Sequence, residues 1–294
     1  MDYPYFHKDL IRATEPRRAE QIPTLDRARL DDPRTYIPSA DLVEAVNVAL
    51  VLGMPLLLTG EPGTGKTQLA TALGAAFSCP VHKFETKSTS AARDLFYSFD
   101  ALSAFKADKS VDPRQFVRYL ALGRAILDAF PAEEVTGLIP PPGTSDYKHA
   151  GPRRSVVLID EVDKAPRDFP NDVLNEIERL YFRVPELQNA ASPGADGETR
   201  GVPKTYRPIV ILTSNSEKGL PDPFLRRCVY FDIPFPDQTQ MGEIVAAHLG
   251  ELRSDSPLLA DALDLFYSLR ADSRRTQMRK QPSTAELLNW LQVL

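Results

Sequence analysis

Residues 60 to 67 have the types and the spacing of a phosphate-binding loop. The run fits the pattern G-x-x-x-x-G-K-[S/T] without a mismatch, as Gly60-Glu61-Pro62-Gly63-Thr64-Gly65-Lys66-Thr67. Glycines let a backbone wrap closely around phosphates and point its N–H groups at them. The Lys66 ammonium would reach the β- and γ-phosphates, and the Thr67 hydroxyl would ligate Mg²⁺. The loop, together with Gln68, therefore predicts a binding site for ATP with Mg²⁺.

Two carboxylates, Asp160 and Glu161, follow an apolar run at residues 156–159. Ligands in open α/β sheets bind at the carboxyl ends of the strands, so both side chains are expected beside the phosphate loop. Asp160 would hold Mg²⁺, directly or through water, and Glu161 would polarise the water that attacks the γ-phosphate. A protein that only binds a nucleotide would not need Glu161, so this pair predicts ATP hydrolysis.

A second apolar run, at residues 209–212, also turns polar where a nucleotide should lie, and it leads to Asn215. The Asn215 amide both donates and accepts, so it could hydrogen-bond the γ-phosphate or the attacking water. Asn is equally a common turn residue that caps the segment after it. The spacing by itself leaves both interpretations open.

Short apolar runs alternate with segments of helical period in most of the chain. The runs suit strands that are buried on both faces of a parallel sheet, and they lie at 54–58, 81–84, 155–159, 208–212 and 229–233. Helical spacing predicts helices at 39–53, 67–77, 113–130 and 169–180, followed by helices alone at 238–252, 258–269 and 283–294. This order predicts a three-layer α/β domain with a parallel sheet over residues 36–236 and a small all-helical lid over 237–294, after an N-terminal arm at 1–35.

Composition and charge are those of an ordinary globular protein with an acidic balance. The net charge is −5, so the overall field does not favour nucleic acid or anionic membranes. Cys79 and Cys228 lie far apart within apolar segments and predict free, buried thiols. The N-terminus lacks the apolar core of a signal peptide, and the most apolar stretch, 45–59, is too broken for a membrane span. We therefore expect a cytoplasmic protein without membrane insertion.

Four motifs, taken in order, resemble those of the AAA+ ATPase superfamily and, within it, the MoxR family. They are GEPGTGKT, VVLIDEVDKA at 156–165, ILTSN at 211–215 and LPDPFLRRC at 220–228. The resemblance implies a P-loop NTPase fold in which Asp160 and Glu161 form the Walker B pair and Asn215 takes the sensor-1 position. It also implies a ring, usually a hexamer, in which Arg227, or else Arg226, reaches the γ-phosphate of the neighbouring subunit.

The same resemblance points to two insertions and to a lid residue. Residues 89–107 match the place where MoxR-like proteins carry an insertion in the second helix, and residues 181–207 match the hairpin before sensor 1. Both are implicated in gripping substrates. Family members often carry a sensor-2 arginine after a proline at the start of a lid helix, but here Ser283 stands at that position. Lys280 or Arg279 would then take that role at the nucleotide.

The function implied by the resemblance is chaperone-like: a ring that hydrolyses ATP to remodel, mature or activate a protein partner. The MoxR resemblance suggests a partner that carries a von Willebrand factor A domain. One alternative is a nucleic-acid-dependent motor of the McrB or replicative-helicase type, for which the basic cluster at 274–280 would be the contact. The acidic net charge makes nucleic acid the less favoured partner. Another alternative is an assembly module that is gated by nucleotide binding rather than by turnover.

Overall fold

A five-stranded parallel sheet forms the centre of the molecule. The computed structural model describes residues 32–108, 110–195, 197, 201–215, 220–250, 256–275 and 281–293. The strands stand in the order β2-β5-β8-β1-β9 and are β1 (Leu56–Thr59), β2 (Val81–Glu85), β5 (Val156–Asp160), β8 (Ile209–Thr213) and β9 (Val229–Asp232). The three central strands are almost wholly buried, as their continuous apolar runs require.

Helices cover both faces of this sheet and complete three layers. On one face pack α1 (Ala40–Leu52) and α2 (Lys66–Ala76), which share a core with inward residues of β1, β5 and β8. On the other face pack α4 (Ala121–Leu127) and α5 (Phe169–Arg179), around the side chains that alternate with those. The predicted α/β fold with a parallel sheet is thus confirmed.

The helix predicted at residues 113–130 is wrong. The segment begins with a short 3₁₀ turn at Pro113–Phe116, continues as β4 (Val117–Tyr119), and only then becomes α4. Val117 and Tyr119 are buried on either side of the exposed Arg118, which is the period of a strand. β4 pairs antiparallel with β3 (Tyr97–Phe99), and α3 (Ala101–Lys106) lies in the connection between them.

A short hairpin precedes β8 in the chain, and one turn of helix follows it. The hairpin, β6 (Arg183–Val184) with β7 (Ala190–Ala191), falls within the segment predicted to form a hairpin before sensor 1. One turn of helix, α6 (Asp222–Leu225), precedes the paired arginines of the LPDPFLRRC motif.

After the sheet, the described residues form three helices that pack around an apolar core of their own. They are α7 (Gln238–Leu249), α8 (Pro257–Arg275) and α9 (Thr284–Leu291). Their shared core includes Met241 and Val245 of α7, Phe266 of α8 and Leu287 of α9. This arrangement is consistent with a helical lid, and α8 continues past the predicted end at residue 269. No helix in the described part of the chain is long and apolar enough to cross a membrane.

Candidate functional site

The phosphate loop connects β1 to α2, and glycine is required at particular positions in it. Gly60 has φ 134°, and a Cβ there would lie 2.5 Å from the carbonyl oxygen of Ile233. Gly65 has φ 87° and caps the N-terminus of α2. Both conformations strongly disfavour larger residues. The chain thereby turns sharply enough to bring the loop over the start of α2, where the helix dipole favours anions.

Lys66 is held inside this loop by backbone oxygens. Its Nζ donates to the carbonyl oxygen of Gly60 at 2.8 Å and to that of Glu61 at 3.0 Å. Burial lowers the pKa of the Lys66 ammonium, and neighbouring carboxylates, of which Asp160 is the strongest, oppose that shift. The ammonium therefore sits beside neutral carbonyls that a phosphate could replace.

Asp160 ends β5 beside the loop and is surrounded by donors. The Thr67 hydroxyl lies 3.1 and 3.3 Å from its two carboxylate oxygens, and the Thr213 hydroxyl donates to Oδ1 at 2.6 Å. Lys83 of β2 places Nζ 3.1 Å from Oδ2. The predicted Mg²⁺ ligands Thr67 and Asp160 are thus adjacent. Thr213 and Lys83 were not predicted, because each belongs to a different strand and only the parallel register brings them here.

Glu161 leaves the strand in a left-handed conformation, with φ 58°. Its N–H donates to the Thr213 hydroxyl at 2.9 Å, which fixes the backbone of both carboxylates to β8. The Asn215 amide lies 3.4 Å from Oε1 of Glu161, and Lys164 pairs with Oε2. The hydrogen bond with Glu161 raises the pKa of Lys164. The sequence-predicted Glu161 and Asn215 therefore meet at one point.

A cavity of about 800 Å³ opens where these groups converge. Its polar end is formed by Asp160, Glu161, Asn215 and loop residues 62–68, which include Gln68. Its other end is largely apolar and is lined by residues before α1, between β9 and α7, and on α7 and α9, among them Ile37, Pro234, Ile244 and Leu288. A polar end beside an apolar slot suits a ligand with a charged tail and a flat ring.

The first two loop residues do not line this cavity. Gly60 contributes its carbonyl to Lys66, while the Glu61 side chain turns towards the lid. There its Oε2 accepts a hydrogen bond of 2.5 Å from Nη2 of Arg270 in α8. Arg270 was not predicted, because it lies just beyond the expected end of that helix and no motif marks it. Lys280 and Arg279, the predicted sensor-2 residues, lie outside the described residues.

Arg226 and Arg227 lie after α6, are exposed and do not line the cavity. Arg227 donates from Nη1 to Oδ1 of Asn175 at 3.2 Å, and its Nε lies 3.7 Å from Oε1 of Glu178. Both partners belong to α5. The arginines are therefore placed on an outer surface of the domain.

The donor set at the polar end fits Mg²⁺ bound together with a nucleotide. Mg²⁺ in such sites takes one or two protein oxygens, and the remaining ligands are phosphate oxygens and water. The Thr67 hydroxyl and the Asp160 carboxylate supply this set. Within the described ranges no group of three or more His, Cys, Asp or Glu residues could hold a metal ion without such help.

Comparison with known structures gives matches at low identity. A threonine-to-valine variant of RuvB from Thermotoga maritima is 13% identical, with 86% of this chain and 67% of that chain covered and a TM-score of 0.40. For a proline-to-glycine mutant of the same protein, the identity is 15%, the coverage is 86% of this chain and 68% of that chain, and the TM-score is 0.39. For a structure titled RuvB Holliday junction branch migration motor, also from Thermotoga maritima, the identity is 14%, the coverage is 86% of this chain and 67% of that chain, and the TM-score is 0.37. No curated protein sequence matches.

The family comparison is more direct. The family model described as AAA domain (dynein-related subfamily) matches residues 55–228, which is more than half of the chain. The matched region contains the phosphate loop, the ends of β5 and β8, and the paired arginines. The match does not test membership of the MoxR family, so that closer resemblance stays a prediction. The chain belongs to the AAA domain family, dynein-related subfamily.

Proposed function

We propose that the chain hydrolyses ATP with Mg²⁺ as a ring oligomer and uses the energy to remodel, mature or activate a protein partner. The observation that carries the proposal is the convergence of Lys66, Thr67, Asp160, Glu161 and Asn215 on one cavity, although they come from separate segments. A loop that only bound phosphate would need neither Glu161 nor Asn215.

The nucleotide would lie with its phosphates at the polar end of the cavity. Backbone N–H groups of loop residues 63–67 would bind the phosphate oxygens, and Lys66 would exchange the carbonyls of Gly60 and Glu61 for them. Thr67 and Asp160 would hold Mg²⁺, which neutralises phosphate charge when bound. The apolar slot would take the base.

Glu161 would accept a hydrogen bond from the attacking water and draw its proton away from the oxygen. The contact with Asn215 holds one carboxylate oxygen in place. Lys164 pairs with the other oxygen, so both carboxylate oxygens of Glu161 have a partner that positions them.

Assembly would complete the site through an arginine from a neighbouring subunit. Arg226 and Arg227 are exposed and stand away from the lining of their own cavity, which supports a role in trans. A guanidinium stabilises charge on the transferring phosphoryl group. Arg227→Ala should therefore bind ATP like the wild type but lose about 10³-fold in turnover; retained turnover refutes the assignment.

The MoxR resemblance supports a protein as the partner of this chain. More specifically, it suggests a client that carries a von Willebrand factor A domain. The net charge of −5 supports a protein rather than a nucleic acid.

Phosphate release from Mg·ATP by the purified chain, together with its oligomer size with and without ATP, tests this proposal. We expect turnover, growth of the oligomer with ATP, and ATP-bound rings trapped by Glu161→Gln, from which the client can be captured. Lys66→Ala should abolish nucleotide binding. Rings that form without turnover would favour the assembly module. Strong stimulation by DNA with a steep salt dependence would favour the nucleic-acid motor.

A further inference from the structure

The phosphate loop touches the helical lid at two points, and one of them is an ion pair whose arginine is buried. Nη2 of Arg270 donates to Oε2 of Glu61 at 2.5 Å. The Arg270 side chain is only 5% exposed, and that of Glu61 is 42% exposed. The second point is Gly63, where an added Cβ would lie 2.8 Å from Cβ of Ser283, the N-cap of α9. Loop and lid are therefore in direct contact at the phosphate end of the cavity.

Phe235, just before the lid, and the residues before α9 hold the Arg270 guanidinium in one orientation. Its Cζ lies 3.4 Å from the centroid of the Phe235 ring, so the cation is stacked on the aromatic face. It also donates to the carbonyl oxygen of Pro282 and, at 3.2 Å, to Oε1 of Gln281. A planar fork that is fixed in this way loses little freedom when it binds one more acceptor. Arg270 therefore offers Glu61 a preformed donor.

Glu61 is also the residue against which Lys66 rests. Lys66 Nζ and the Thr64 hydroxyl both donate to the Glu61 carbonyl oxygen, each at 3.0 Å. An ammonium that moves onto a phosphate must leave this carbonyl, so the backbone at Glu61 changes partners when a nucleotide binds. Because the Glu61 side chain is hydrogen-bonded to Arg270 of α8, a shift of the Glu61 backbone would be transmitted to the lid.

We propose that the Arg270–Glu61 pair is a clamp through which the lid holds the phosphate loop around bound phosphates. The inference rests on the proposed function, since it requires a nucleotide at this loop. Arg270 acts through Glu61 and is a positioning residue. Release of nucleotide then depends on opening of the pair, which makes the lid the control of product release.

The clamp and simple electrostatics predict opposite effects on nucleotide binding when the Glu61 charge is removed. The carboxylate is a negative charge on a loop that binds phosphates, so its neutralisation should tighten nucleotide binding. If the carboxylate is instead the anchor of the lid, its neutralisation weakens a charge-assisted hydrogen bond and loosens the loop. Nucleotide release then becomes faster. The direction of the change separates the two cases.

Stopped-flow release of N-methylanthraniloyl-ADP from the full chain measures this direction. Glu61→Gln should raise the dissociation rate about tenfold, the size expected for a weakened hydrogen bond to a charged group, and Arg270→Gln should do the same. Because both act through one contact, the double variant should release nucleotide no faster than either single variant. The matched control is Asp146→Asn, which removes the partly exposed partner of Arg124 outside the cavity and should change the rate by less than about twofold.

Unchanged or slower release from Glu61→Gln overturns the clamp, and so does multiplication of the two single effects in the double variant. If Arg270→Gln does not fold, Glu61→Asp replaces it. Glu61→Asp keeps the negative charge but shortens the side chain. The clamp therefore predicts faster nucleotide release, whereas electrostatics alone predicts no change in the release rate. A wild-type chain that binds no fluorescent ADP overturns the proposed function together with the clamp. Binding that is indifferent to Glu61 overturns the clamp alone.

Discussion

Neighbouring residues of the edge strand β2 reach two different buried carboxylates. Nζ of Lys83 lies 3.1 Å from Oδ2 of Asp160, and Nε2 of His82 lies 3.2 Å from Oδ2 of Asp128. Successive side chains of a strand point to opposite faces, so the two clusters are separated by the sheet itself. Both carboxylates are almost inaccessible, with 8% exposure for Asp160 and 0% for Asp128. Burial therefore does not distinguish them.

Their partners do. Asp128 interacts with His82, with the Tyr147 hydroxyl at 3.0 Å, and with Nε and Nη2 of Arg153 at 3.2 and 3.1 Å. Burial raises the pKa of Asp128, but the hydrogen bond with His82 and the charge of Arg153 outweigh it and hold the pKa below its usual range. Asp128 does not line the large cavity. Its donors join α4 to β2 and to the chain before β5.

Asp160, besides its ion pair with Lys83, accepts from the hydroxyls of Thr67 and Thr213, and it lines the large cavity. A hydroxyl oxygen next to a carboxylate can bind the same metal ion as the carboxylate. A guanidinium has no acceptor atom, so it can only donate hydrogen bonds to the carboxylate. The difference indicates that Asp128 stabilises the fold and that Asp160 is available to a ligand.

The largest effect is expected from Glu161→Gln, at the ligand-binding cluster. Loss of the group that polarises water should lower turnover about 10³-fold, while the melting temperature stays close to that of the wild type. Steady-state phosphate release and thermal unfolding measure the two quantities. Glu44→Gln, on the exposed face of α1, is the control and should change neither. Large destabilisation by Glu161→Gln would erase the contrast with Asp128.

Asp128→Asn should show the reverse pattern. It leaves Arg153 without a full charge partner, and Arg153 is 39% exposed, so we expect a loss of about 2–3 kcal/mol in the free energy of unfolding. Turnover per folded molecule should stay within about twofold of the wild type. Urea unfolding and phosphate release test this, with Asp146→Asn as the control for an exposed pair. A stable variant that has lost turnover contradicts the structural role.

The same cluster predicts a pH dependence of stability. Because the folded pKa of Asp128 lies below the ordinary value of 3.8, its contribution is complete above that pH and is lost as the pH falls through the folded pKa. The difference in unfolding free energy between wild type and Asp128→Asn should therefore shrink on acidification from about pH 6 to about pH 3. A difference that stays constant over this range would show that Asp128 does not titrate as described.

The smallest effect is expected at Lys83, whose ammonium forms an ion pair with Asp160. Burial lowers the pKa of Lys83, but hydrogen bonds with Glu85 and Asp160 outweigh it and raise the pKa. If Asp160 holds Mg²⁺ as proposed, this ammonium would compete with the ion for the carboxylate. Lys83→Met should lower the Mg²⁺ concentration needed for half-maximal binding of fluorescent ADP by up to about fivefold. Lys106→Met, exposed on α3, is the control. A higher Mg²⁺ requirement in Lys83→Met would make Lys83 a helper of the ion rather than a competitor.

Much of the fold was predictable because it is encoded locally. Each predicted strand of the parallel sheet agrees with the structure to within two residues, since a continuous apolar run marks burial on both faces. Ser39 begins α1 by accepting from the N–H of Leu42, and Gly53 ends it in the left-handed conformation. The failure at 113–130 has a tertiary cause. Gly123 packs so closely on Phe96 that a Cβ would lie 2.0 Å from the Phe96 carbonyl oxygen, and pairing with β3 draws the preceding residues into a strand.

The phosphate loop and the two carboxylates at the end of β5 can be recognised from local sequence, because contiguous residues at fixed spacing need no distant partner. Which side chains hold them depends on how the whole chain folds. Thr213 and Lys83 reach Asp160 through the register of parallel strands, and Arg270 reaches Glu61 across 209 positions of sequence. No local pattern encodes such pairs, because strand order and the packing of the lid are set by burial over the whole chain.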